Sequence, residues 1–297
     1  MSHLNAAIDL LMPNLGADRA QKIAFIDDET SITYAALDER SSQFAHFLGQ
    51  LGIQREQRIA LVMLDCIDWP VVFLGAIKAG VVPVCLNTLL TSKDYAYMFQ
   101  DARVQAVFTS TALLSAVTPA VAEMAVATAA TTGARTTAQT STAVPVYTAG
   151  EHLGAQISPQ EKSFTAVHTH AEEPCFWLYS SGSTGAPKGT VHRHHSLRDT
   201  ARLYAQPILG IKENDVVFSA AKLFFAYGLG NGLSFPMSVG ATGILMSARP
   251  TPEAVFAKLL KHQPHIFYGV PTLFAGMMAS PMLATCWEQG GGKNLRV

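Results

Sequence analysis

Charged side chains are scarce in this sequence. Asp, Glu, Lys and Arg make up 14% of its 297 residues, against roughly 25% in an average soluble domain. Lys and Arg total 21, Asp and Glu 22, and the net charge is −1. There is no basic excess of the kind that holds a protein on nucleic acid or on an anionic membrane surface. Cysteine is scarce as well. Cys66, Cys85, Cys175 and Cys286 stand far apart, form no C-x-x-C pair and have no histidine at metal-ligand spacing. A disulfide scaffold and a zinc site are both disfavoured, and reduced buried thiols in a cytoplasmic protein are expected. Long apolar runs are missing too. Trp69 to Leu86 comes nearest, but Pro70, Lys78, Gly80 and Pro83 interrupt it, whereas a membrane-spanning helix needs about 20 predominantly apolar residues. Met1 to Asp18 shows no basic start followed by an apolar block, so no secretory signal is read there.

What is present is apolar material. Hydrophobic residues reach 49%, enough for a substantial core and incompatible with disorder of the whole chain. So little charge implies surfaces meant to be covered, including by protein outside this chain. The first hundred residues alternate between helical and extended patterns. Thr33 to Leu51 carries a helical stripe of Leu37, Phe44, Phe47, Leu48 and Leu51, closed by Gly52. Arg58 to Leu64 is a continuous apolar run, as in a strand covered on both faces. Asp68 to Ala79 then reads as a helix and Val81 to Leu86 as a strand. Thr91 opens a further helix with Asp94 as capping-box partner, and Val104 to Thr109 is the next strand. This alternation predicts an α/β fold with mostly parallel sheets flanked by helices.

Between Thr111 and Val144 the composition shifts to Ala and Thr. A helix interrupted near Pro119 is expected first, then an aperiodic surface loop of no particular function. Pro145 to Tyr147 is strand-like and Glu151 to Glu173 a polar connector. From Cys175 the alternation resumes: strands at 175–180, 189–194, 215–220, 241–246 and 265–268, helices at 196–204, 228–239, 251–262 and 271–278. Leu295 to Val297 reads as the start of one more strand. Lobes of about 55–205 and 206–297 are expected, with 1–54 packed on them. His192, His194 and His195 sit together, but alternate and adjacent strand positions do not surround one metal ion, so no metal site is assigned. His168 and His170 lie in connector sequence and are expected to be exposed.

One segment stands apart: Tyr179-Ser180-Ser181-Gly182-Ser183-Thr184-Gly185-Ala186-Pro187-Lys188-Gly189. Glycines let backbone N–H groups converge on phosphate oxygens, hydroxyls add donors, and Lys188 supplies a cation. A flexible Gly/Ser turn between two strands is the plainer alternative. Such turns rarely join Ser-Ser-Gly-Ser-Thr-Gly to Pro-Lys-Gly. A Walker A loop is excluded, because Pro187 and Gly189 flank the lysine where Gly and Ser/Thr are needed. The nucleophile elbow and Ser-x-x-Lys patterns fail as well, and a strand-like segment follows where a dinucleotide fingerprint needs a helix.

This loop resembles the phosphate-binding signature of the adenylate-forming superfamily, Tyr-Thr-Ser-Gly-Thr-Thr-Gly-x-Pro-Lys-Gly, with serine at Ser180 and Ser183. The upstream segments Ile32 to Leu37 and Phe73 to Gly80 agree with it, so the resemblance covers essentially the whole chain. The stretch Ala221 to Asn231, together with Thr190–His195, Phe235–Thr242 and Gly269–Met277, is most similar to benzoate-CoA ligases and related aryl-CoA ligases. Phe225 stands where many members carry histidine. The resemblance implies an N-terminal adenylation domain and activation of a benzoate-like acid by ATP, with Mg²⁺, to an acyl-adenylate, followed by transfer to CoA. It implies phosphate contacts from Ser180, Ser181, Gly182, Ser183, Thr184, Gly185 and Lys188. It also implies an aryl-acid pocket lined at Phe225, Ala226, Tyr227 and Gly228, a stretch that otherwise reads as a strand end and helix start packed in the core. The family's essential lysine belongs to a mobile C-terminal domain expected beyond Val297, so no catalytic residue is assigned here, and residues 1–297 alone are expected to be inactive. Two alternatives stay open: a nucleotide-binding fragment without catalysis, and a synthetase for a non-aryl acid. The partners expected are small molecules, not nucleic acid or membrane. Oligomeric state is open, a homodimer included.

Overall fold

The computed structural model describes residues 3–132, 144–180 and 186–297. Most of the Ala/Thr-rich loop and residues 181–185 of the phosphate-loop motif thus lie outside the described residues. Among those described, the strands in chain order are β1 (Ile23–Ile26), β2 (Ser31–Thr33), β3 (Arg58–Val62), β4 (Val82–Cys85), β5 (Val104–Thr109), β6 (Val146–Thr148), β7 (Pro174–Ser180), β8 (Lys188–Arg193), β9 (Val216–Ser219), β10 (Thr242–Ile244) and β11 (Ile266–Tyr268). They form two sheets, as the alternation predicts. One has the order β6-β5-β3-β4-β7-β8, the other β11-β9-β10-β1-β2. Each sheet is parallel except at one edge, where β8 runs against β7 and β2 against β1.

The chain divides into two compact units. The first holds Met1–Asn5, Arg40–Met63 and Val71–Arg193, the second Ala6–Glu39, Leu64–Pro70 and His194–Val297. In the first unit β3 and β4 are buried almost throughout. Val62, Val84 and Val107 of its sheet pack with Phe99 of the Ser92–Ala102 helix and Val117 and Val121 of the Leu114–Thr132 helix. In the second unit Phe218 and Ile244 pack against Val255, Phe256 and Leu259 of the Pro252–His262 helix.

Local chemistry explains the helix ends. Thr91 caps the Ser92–Ala102 helix in a full capping box: its hydroxyl accepts from Asp94 N at 3.3 Å, and its N–H donates to the Asp94 carboxylate at 3.0 Å. Thr251 accepts from Ala254 N at 3.3 Å, and Pro252 fills the first helical position, whose N–H has no partner in any helix. Pro119 lies within the Leu114–Thr132 helix without ending it. Pro236 is accommodated differently. Ala226–Leu229 is α-helical, Gly230–Ser234 is a π-helical turn, and Phe235–Met237 returns to α. A proline ring clashes with the carbonyl four residues back, and the wider turn just before Pro236 relieves that contact.

The structure corrects several expectations. Glu151 to Glu173 is not all connector, since Glu151–Ile157 is a helix. Leu295 to Val297 is not a strand, although Val297 O accepts from Phe267 N at 3.0 Å and Arg296 N donates to His265 O at 2.9 Å beside β11. His170 is only half-exposed. The three neighbouring histidines serve separate purposes. His192 stacks on Phe176 at 4.6 Å, His194 accepts from Ala6 N at 3.1 Å, and His195 pairs with Asp199 at 2.8 Å. Among the described residues no helix is long and apolar enough to cross a membrane.

Helix contact in the first unit is set by Gly75. A Cβ there would lie 2.5 Å from Ser41 O and 2.9 Å from a Phe44 ring carbon. Gly75→Ala is therefore expected to destabilise the protein by at least the roughly 1–3 kcal/mol of overpacking, measured by urea unfolding. Gly49 has nothing within 4 Å of that position, so Gly49→Ala should be neutral or stabilising by about 0.5–1 kcal/mol. Equal effects of the two changes would contradict this account of the packing.

Candidate functional site

In the first unit, β7 and β8 form the two legs of the motif loop. Their register sets Ser180 opposite Lys188 and Tyr179 opposite Gly189. Both Ser180 and Lys188 are exposed at the open end of this hairpin, so a serine hydroxyl and an ammonium sit side by side where the motif begins and ends. Ser181, Gly182, Ser183, Thr184 and Gly185 lie outside the described residues. The Ser92–Ala102 helix holds both legs. Tyr97 donates from its hydroxyl to Pro187 O at 3.2 Å, and the Tyr179 hydroxyl donates to the Asp101 carboxylate at 2.6 Å. Burial and the adjacent Asp101 charge push the Tyr179 hydroxyl far above its ordinary pKa, so it stays a donor. Sequence reasoning missed Tyr97 and Asp101. Their spacing of four, which puts two polar groups on one helix face, was the available signal.

In the second unit, the segment after β9 makes a tight turn into the Ala226–Leu229 helix. Phe225 is the residue before the helix, in extended conformation, and its N–H donates to Lys222 O at 3.0 Å. Phe225 and Tyr227 are 48% and 49% exposed, which is unusual for large aromatic side chains and leaves two ring surfaces free for a ligand. Phe224 and Phe225 lie 4.5 Å apart, and Tyr227 meets Tyr268 edge-on at 6.2 Å. The Tyr227 hydroxyl donates to Gly269 O at 3.3 Å, with its pKa raised by burial. Ala226 is exposed between the two rings in sequence, and Gly228 is buried. No side chain fits at Gly228, where a Cβ would come within 2.0 Å of Lys222 O. The four candidate pocket residues therefore share one short, closely folded turn.

A buried carboxylate and a half-buried ammonium belong to this turn or adjoin it, and neither has a periodic signal in the sequence. Asp65 is 3% exposed and accepts from Leu223 N at 3.2 Å. Burial raises its carboxyl to a pKa of about 6, against the downward pull of Lys222. The Lys222 ammonium donates to Met246 O and, at 2.7 Å, to Ala248 O. Burial lowers its pKa, and attraction to Asp65 and Asp28 offsets part of that. Among the described residues no group of three or more His, Cys, Asp or Glu is placed to hold a metal ion. These residues thus offer no cage for Mg²⁺, an ion that often arrives on substrate phosphates with few protein ligands.

Over 279 residues the chain is 51% identical to a benzoate–CoA ligase of Thauera aromatica, covering 93% of this chain and 50% of that protein. It is 42% identical to a 4-hydroxybenzoate–CoA/benzoate–CoA ligase of Rhodopseudomonas palustris, covering 95% of this chain and 50% of the relative. The crystal structure of a benzoate CoA ligase from Burkholderia xenovorans LB400 superposes with a TM-score of 0.83 at 49% identity, over 94% of this chain and 53% of the other. The chain thus spans about half the length of the curated relatives it matches. The model of the AMP-binding enzyme family matches residues 15–297, and with that match over nearly its whole length the chain belongs to the AMP-binding enzymes.

Proposed function

We propose that this chain is the part of an aryl-CoA ligase that takes up ATP and a benzoate-like acid. The observation that carries the proposal is the 51% identity to a benzoate–CoA ligase across 93% of the chain. The proposal is made for a protein of the relatives' full length. In the first step the acid's carboxylate attacks the α-phosphate of ATP, forming an acyl–phosphate bond as pyrophosphate leaves. In the second the CoA thiol attacks the acyl carbon, gives up its proton and displaces AMP, leaving the thioester.

Each step asks something definite of the protein. Adenylation needs phosphate charge neutralised while the reacting atoms are held in line. The hydroxyls of Ser180, Ser181, Ser183 and Thr184, the backbone around Gly182 and Gly185, and the ammonium of Lys188 are the groups assigned to it. Lys188 serves as a cation for phosphate rather than as a base, and Pro187 stiffens the way out of the loop. Benzoate is flat, apolar over its ring and anionic at one end. Phe225 and Tyr227 offer ring surface, the small exposed Ala226 leaves room beside it, Gly228 lets the turn close on Lys222 O, and phenylalanine in place of the common histidine removes a polar group. This favours an apolar ring over a polar acid.

Pyrophosphate exchange by the full-length enzyme against a panel of aryl acids and a linear fatty acid tests the reading directly. Exchange should be strongest with benzoate or a hydroxybenzoate, and a preference for the fatty acid would overturn it. Thr184→Ala should slow adenylation roughly ten- to hundredfold, the worth of a hydrogen bond to a charged group, without lowering the melting temperature. Unchanged kinetics would remove that hydroxyl from phosphate binding. Ala226→Leu should fill the slot beside Tyr227. At a cost of roughly 1–3 kcal/mol it should cut kcat/KM for benzoate about five- to hundredfold while KM for ATP stays near the parent value. Untouched benzoate turnover in that variant would refute the aryl wall.

A further inference from the structure

The turn that carries Phe225 to Gly228 is held in place by charges that the proposed reaction does not use. The Lys222 ammonium donates to three successive carbonyls, those of Met246, Ser247 (3.5 Å) and Ala248 (2.7 Å). An ammonium has three protons to give, so none is left over for a substrate carboxylate or phosphate. The same carbonyl segment is also held at its middle residue. Ser247 N donates to the Asp28 carboxylate at 2.9 Å, and Asp28 pairs with Lys258 at 2.7 Å. One residue beyond Lys222, Leu223 N donates to the buried Asp65. Taking charges out of water is costly, and apolar side chains of similar volume often pack more stably. The buried Asp65 carboxylate and the half-buried Lys222 ammonium carry that cost, which a role in holding this turn would account for.

The linkage onward is short and stiff. Lys222 O accepts from Phe225 N at 3.0 Å, and Gly228 is packed so closely on Lys222 O that not even a methyl group could enter. A displacement of Lys222 therefore carries Phe225, Ala226 and Tyr227 with it. We infer that Lys222, assisted by Asp65, is a positioning residue that fixes the aryl wall and thereby sets which ring sizes the site accepts. This rests on the reading of residues 225–228 as that wall.

The test uses the full-length enzyme and three readouts: kcat and KM for benzoate, for the larger 2-naphthoate, and for ATP. Lys222→Met and the shorter, polar Lys222→Gln should raise KM for benzoate about tenfold, as expected for the loss of well-placed hydrogen bonds. They should also lower the preference for benzoate over 2-naphthoate, because a loosened wall admits the larger ring. KM for ATP should remain within about twofold of the parent, since uniform binding of the nucleotide is untouched. Asp65→Leu should behave like the Lys222 variants. Asp65→Asn, which keeps an oxygen to accept from Leu223 N, should restore most of what Asp65→Leu loses. Unchanged selectivity between the two acids, or equal changes for both acids and ATP, would overturn the inference. Failure of both Lys222 variants to fold would assign the residue to stability alone and overturn it as well. A parent enzyme that activates fatty acids instead of aryl acids would refute the wall itself, a result distinguishable because it precedes any substitution.

Discussion

The central strands of the six-stranded sheet are shut away from water on both faces, and much of the chain is organised by that constraint. β3 and β4 have almost no exposed residue, so helices must cover them from both sides. Parallel neighbours in turn require a crossover between successive strands, which the Asp68–Lys78 and Ser92–Ala102 helices supply. Once the strands are parallel, their ends gather the connecting loops, and loops carry the chemistry. The hairpin that presents Ser180 and Lys188 is the edge of this same sheet, with β7 paired to β4. A rigid, dry centre thus supports an exposed, polar rim.

The second unit solves a different problem, holding a short irregular turn still. Backbone hydrogen bonds within strands cannot do this, because the turn from Ala221 to Phe225 belongs to no strand. Ionic side chains do it instead, reaching from neighbouring segments to the turn and to the carbonyls after β10. The two candidate regions therefore differ in how they are stiffened. The legs of the motif loop lean on a helix through tyrosine hydroxyls, whereas the aromatic turn leans on a half-buried ammonium and a buried carboxylate.

Much of this was legible in the sequence, and the limits have physical causes. Runs such as Arg58–Leu64 and Val104–Thr109 announce buried strands because they are apolar almost throughout, Arg58, Gln105 and Thr109 apart. The Ser92–Ala102 helix announces its start through Thr91 and Asp94. β1 and β2 escaped notice, since four and three residues are too few for a period to show. β1 is held by pairing with β10, more than two hundred positions away in the chain, and β2 pairs in turn only with β1, so the contact that anchors both is one no local pattern reports. The helices Glu151–Ile157 and Met282–Glu288 lack side-chain caps at their starts, so the usual punctuation is missing. The loop motif was readable because its residue types are so constrained. Lys222 and Asp65 were not, because a lone lysine or aspartate looks the same in sequence whether it faces water or reaches back to the protein's own backbone.

The π-helical turn at Gly230–Ser234 also bears on how such a site can diverge. A π turn amounts to one residue more than the α-helix would hold, and each residue advances a helix by about 100°. Deleting a single residue there would return the segment to regular α-helix while swinging Tyr227 and its neighbours by that angle relative to Pro236. Insertion or loss of one codon can therefore re-aim an entire aromatic face without altering any of the residues on it, so sequence alignments across this stretch must place their gaps with care before equating one protein's ring-facing residues with another's.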